Sequence, residues 1–68
     1  MIKVKQYCKS NGLNKIINEV ATEDEAIDFI IDLLSDFEKE ETKRLRSNGA
    51  LPNNGYYSKY YFYYIIEQ

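Results

Sequence analysis

TEDEAIDFIIDLLSDFEKEETKRLR, residues 22 to 46, is the stretch whose reading decides the fold. Thr22 and Glu25 have the spacing of a capping box, in which a hydroxyl and a carboxylate each satisfy a free amide at a helix start. From Ala26 the apolar residues Ile27, Phe29, Ile30, Ile31, Leu33, Leu34 and Phe37 follow at helical spacing. Acids fill the first turn and Lys43, Arg44 and Arg46 the last, both favourable to the helix dipole. Asn48-Gly49 then offers a left-handed stop. The spacing therefore predicts one long helix, about 37 Å from end to end, which projects from the domain or breaks near Thr42.

The apolar arc of that helix spans roughly 200°, wider than the stripe needed to pack on one sheet. The excess calls for a second cover, either the loop after Gly49 or another copy of the chain.

Working outward toward the N-terminus, Ile2 to Cys8 alternates in period two. Ile2, Val4, Gln6 and Cys8 fall on one face, and Lys3, Lys5 and Tyr7 on the other. Ser10-Asn11-Gly12 is a hairpin signal, since Asn-Gly tolerates positive φ. Leu13 to Val20 fits either a returning strand or a short helix. The density of β-branched residues, and the extended residue that a cap at Thr22 requires, favour the strand.

Toward the C-terminus, Pro52 and Asn53-Asn54-Gly55 mark a loop, and Tyr56 to Ile66 reads as one aromatic strand. Six of the seven tyrosines lie there. Tyr57, Lys59, Tyr61, Tyr63 and Ile65 would share one face. The expected fold is α+β, a single β-β-α-β domain over residues 1–68: a three-stranded antiparallel sheet of order 2-1-3 with one long helix across a face.

At 68 residues such a domain hides only about 60% of the surface its unfolded chain exposes, so packing or a partner subunit must stabilise it. Cys8 is the sole cysteine and there is no histidine, which speaks against a disulfide, a structural zinc or His-based catalysis. A lone cysteine, no signal-type start and no apolar run of about 18 residues indicate a cytoplasmic protein away from the membrane. Cys8 itself reads as a buried, inert thiol. No phosphate loop or dinucleotide fingerprint is present, so neither a cofactor nor an enzymatic activity is expected.

Asp24, Asp28, Asp32 and Asp36 recur every four residues, forming a carboxylate ridge whose repeat of about 6 Å approaches phosphate spacing. That ridge suits a protein partner with a basic surface. Tyr57, Tyr61 and Tyr63 would add interface anchors. The net charge of −2 argues against nucleic acid as the partner. Two alternatives are a single-stranded nucleic-acid binder that uses Tyr57, Tyr61 and Tyr63 with Lys3 and Lys5, and a purely structural homodimer subunit. The charged helix end, Lys39 to Arg46, reads as a solvated surface.

In type, being short, acidic and without cofactor or catalytic residues, the chain resembles the small inhibitors that bacteriophages direct against host defence proteins, the anti-CRISPR class among them. The resemblance implies a non-enzymatic inhibitor acting by steric block or nucleic-acid mimicry.

Overall fold

The computed structural model describes residues 1–67. Four strands and two helices follow in the order β1 (Ile2–Cys8), β2 (Asn14–Val20), α1 (Glu23–Leu33), α2 (Asp36–Ser47), β3 (Gly55–Tyr57) and β4 (Tyr61–Glu67). The strands form one antiparallel sheet of order β2-β1-β4-β3. The α+β class and the antiparallel sheet agree with the sequence reading; three strands and one long helix do not.

The first hairpin forms as its residues dictate. Gly12 adopts φ +72°, and its N–H donates to the Cys8 carbonyl at 2.8 Å, closing the turn before Leu13. Residues 14 to 20 are strand, paired from Ile2 with Val20 to Tyr7 with Asn14. A bulge at Ile17, where the register passes from Val4–Asn18 to Lys5–Ile16, kinks β2 at the outer edge of the sheet.

The helix starts at the cap expected of it, with the Thr22 hydroxyl accepting the Glu25 N–H at 3.3 Å. It does not run to Arg46. Leu34 turns extended at φ −100° and ψ 141°, and Ser35 opens a second capping box with Glu38. The Ser35 hydroxyl accepts the Glu38 N–H at 3.2 Å, and the Glu38 carboxylate accepts the Ser35 N–H at 2.7 Å. The break thus falls at Leu34–Ser35 and not near Thr42. The capping box at Ser35 and Glu38 supplies the new helix start, and the bend keeps the stretch within a domain whose longest axis is 29 Å. Gly49 ends α2 at φ +82°, as the Asn-Gly signal requires.

Bending the chain there lets Leu34 join Ala26 and Ile30 in a core with Ile2, Val4, Tyr56, Tyr63 and Ile65. Leu51, from the loop after Gly49, is also buried. Leu33 and Phe37, on either side of the break, stay 46% and 68% exposed.

The long tyrosine strand is likewise two strands. Tyr57 pairs with Phe62, and the Ser58 N–H donates to the Tyr61 carbonyl at 2.9 Å across the turn. The β3 edge is closed by α2: the Tyr57 N–H donates to the Thr42 hydroxyl at 2.9 Å, and that hydroxyl donates to the Glu38 carbonyl at 2.8 Å. α1 packs across one face of the sheet, against β1, β2 and β4, and α2 lies along its β3 edge. Among the described residues no helix lies on the other face.

Candidate functional site

The carboxylate row is divided by the helix break. Asp24, Asp28 and Asp32 lie exposed on α1, and Asp36 is the first residue of α2, 3.9 Å from the Lys39 ammonium. Among the described residues no cation pairs with Asp24, Asp28 or Asp32. On α2 the charges do pair, Arg44 most closely, with its Nε and Nη2 each 2.8 Å from a Glu41 oxygen. This contact holds the Glu41 carboxyl below the usual carboxylate range.

The three tyrosines grouped by sequence do not share a surface. Tyr63 is 5% exposed, inside the core, and Tyr61 packs against that core. Tyr57 sits on the other side of the sheet. The hairpin turn at Ser58–Tyr60 causes this, because it changes which residues of the aromatic stretch alternate together. Residues directly opposite in an antiparallel pair share a face, so Tyr57 is aligned with Phe62 and Tyr64, and Tyr56 with Tyr63 and Ile65.

What assembles instead is the uncovered sheet face. From β1 come Lys3, Lys5 and Tyr7; opposite them on β4 stand Ile66, Tyr64 and Phe62. The ring centroids of Tyr7 and Phe62 are 6.2 Å apart, those of Phe62 and Tyr64 6.4 Å, and those of Tyr57 and Phe62 6.3 Å. β2 contributes Ile16 beside Lys5 and Glu19 beside Lys3, whose ammonium lies 3.8 Å from the Glu19 carboxylate. Gly55, opposite Tyr64, leaves room for its ring: a Cβ there would stand 3.1 Å from Tyr64. Burial, with Tyr7 adding to it, pushes the Tyr64 phenol above its ordinary value.

Cations lie over these rings. The Lys5 ammonium is 5.4 Å from the Tyr64 centroid, and that of Lys9 is 4.0 Å from Tyr57 and 4.5 Å from Phe62. Lys9 also donates to the Ser58 carbonyl at 2.6 Å, so it braces the β3–β4 turn. Burial lowers the Lys9 ammonium pKa, while the Glu38 carboxylate acts in the opposite sense. Alternation along β1 had already put Lys3, Lys5 and Tyr7 together. Phe62 and Tyr64 could join them only once the hairpin was known.

Cys8 is partly exposed at the end of β1, not buried as the sequence suggested. Its thiol lies 3.2 Å from the Ser10 hydroxyl, and this hydrogen bond lowers its pKa. A groove of about 370 Å³ between α1 and α2 has a mixed lining, apolar at Ile31, Leu34 and Tyr56, basic at Lys39, Lys43 and Arg46, and acidic at Asp36 and Glu40. There the Arg46 guanidinium lies 4.3 Å over the Tyr56 ring and donates from Nε to the Gly55 carbonyl. Among the described residues no group of three His, Cys, Asp or Glu side chains could hold a metal ion, and no helix is long and apolar enough to cross a membrane.

Comparison with protein-family models, with curated proteins and with solved structures finds no match to this chain.

Proposed function

We propose that the chain is a non-catalytic binding module whose recognition surface is the uncovered face of the sheet. The observation that carries this reading is the row Tyr7–Phe62–Tyr64, at ring separations of 6.2 and 6.4 Å, set beside Lys3 and Lys5. Aromatic rings give large contact area with few rotamers, and ammonium groups give orientation and on-rate toward an anionic partner. Such a face suits a macromolecule that presents negative charge together with flat or apolar groups.

A second reading is favoured by the unpaired Asp24, Asp28 and Asp32 and by the exposed Leu33 and Phe37 at the helix break. In it, α1 docks on a basic protein surface in the cytoplasm, and the chain acts as a phage-type inhibitor by steric block. Mimicry of a phosphate row is the weaker form of this reading, because the continuous ridge ends at Asp32.

Tagged protein incubated with bacterial lysate separates the two. The partner is expected to be retained by wild type and by the Asp28→Asn, Asp32→Asn variant, and lost from the Lys5→Glu, Tyr64→Leu variant. The reverse pattern sinks the sheet-face reading and leaves the α1 reading standing.

A further inference from the structure

We infer that the ligand of the uncovered sheet face is single-stranded nucleic acid, with bases against Tyr7 and Tyr64 and phosphates beside Lys3 and Lys5. The inference rests on the binding reading above and names the ligand for it.

Spacing is the first argument. The rings stand 6.2 and 6.4 Å apart, whereas stacked bases of a duplex rise about 3.4 Å per step. Successive rings therefore cannot follow a duplex stack. Tyr7 and Tyr64, each packed on Phe62, can each take one base of a strand whose bases are splayed apart, the arrangement in which aromatic sheet faces hold single strands, while Phe62 lies under the Lys9 ammonium at 4.5 Å.

Charge placement is the second. The charges behind the net −2 are unevenly placed. Lys3, Lys5 and Lys9 lie on the uncovered sheet face with Glu19 as its acid, α1 carries five carboxylates and no cation, and the charges of α2 balance. An anionic strand is attracted to the sheet side and repelled from the helix side, which orients it before contact. Lys9 is committed to the Ser58 carbonyl and to bracing the rings of Tyr57 and Phe62, so Lys3 and Lys5 are the groups for phosphate. The Lys3–Glu19 contact at 3.8 Å, with half of the Glu19 side chain exposed, is loose enough to yield to one.

The make-up of the face also sets it apart from a protein interface. Cores of protein interfaces are depleted in lysine, and here Lys5 stands directly opposite Tyr64, within the ring row.

The test is fluorescence anisotropy with labelled oligothymidylate and oligouridylate of about 12 nucleotides, and with a duplex of equal length. Saturable binding to the single strands is expected, weaker binding to the duplex, and affinity that falls with salt along a slope set by about two phosphates. Tyr64→Leu keeps apolar bulk but removes the stacking face and should weaken binding about tenfold. Lys5→Gln should flatten the salt slope, and Asp28→Asn should leave single-strand binding in place; circular dichroism confirms that each variant is folded. The inference is overturned by no saturable binding, by preference for the duplex, or by equal affinity across Tyr64→Leu and Lys5→Gln. If oligonucleotides fail while protein capture still depends on Lys5 and Tyr64, nucleic acid falls as the ligand and the sheet-face reading stands. A dimer that dissociates on Tyr64→Leu overturns both.

Discussion

The Glu38 carboxylate, in the first turn of α2, accepts the backbone N–H of Lys59 at 2.7 Å. The same oxygen accepts the Ser58 hydroxyl at 3.0 Å, and the other oxygen accepts the Ser35 N–H at 2.7 Å. One side chain thus ties the helix break to the turn between β3 and β4. That turn sets which aromatic residues face outward, so the shape of the sheet face depends on a residue of α2, outside the sheet.

Replacing Glu38 with Ala is expected to cost about 2–3 kcal/mol, because three donors lose a charged acceptor. Urea unfolding gives the value. Its hydrogen bonds, first the one from the Ser35 amide, hold the Glu38 carboxyl below the usual range. A lowered carboxyl pKa contributes stability that is present above the unfolded-state value, about 4.3, and is lost as pH falls through the folded one. Wild type should therefore lose more stability on acidification below about pH 4 than Glu38→Gln does. Parallel acid limbs in the two proteins would count against this.

Thr42→Val is nearly isosteric but leaves the Tyr57 N–H without its acceptor. A loss of about 1–3 kcal/mol follows. Hydrogen exchange should show the Tyr57 amide among the first to lose protection, and unchanged protection would mean that α2 does not close that edge.

Ile30 is fully buried, in one core cluster with Val4, Tyr63 and Ile65. Ile30→Val should cost about 0.5–1.5 kcal/mol and stay folded; Ile30→Ala should cost about 2–5 kcal/mol. A domain of this size holds only about 3–5 kcal/mol in total, so the alanine variant should show a far-UV spectrum close to that of an unfolded chain.

Gly12→Ala places a side chain at φ +72°. Destabilisation of about 1 kcal/mol is expected from thermal melts, with sheet content retained.

Much of this fold can be read from local signals. Ile2 to Cys8 alternates and does form a strand with Ile2 and Val4 buried, Asn11-Gly12 turns it, and Thr22 with Glu25 starts a helix where it should. The helix break was written in the same code: Ser35 and Glu38 repeat the spacing of Thr22 and Glu25. It was hidden because apolar periodicity runs through it from Leu34 to Phe37. The turn at Ser58–Lys59–Tyr60 has no such signal, since it contains neither Gly nor Pro. Its support comes from Glu38 and Lys9, remote in sequence. Read as one strand, the stretch puts Tyr57, Tyr61 and Tyr63 on one face; with the turn, Tyr61 and Tyr63 lie on the core side, and Phe62 and Tyr64 on the side of Tyr57.

The most direct measurement is a titration of isotope-labelled protein with oligothymidylate, followed by NMR of the aromatic and backbone resonances. Shifts concentrated at Tyr7, Phe62, Tyr64 and the amides of Lys3 and Lys5, with α1 from Asp24 to Asp32 unchanged, are the predicted result. Shifts confined to α1, or no shifts at saturating oligonucleotide, would contradict a sheet face that recognises single strands.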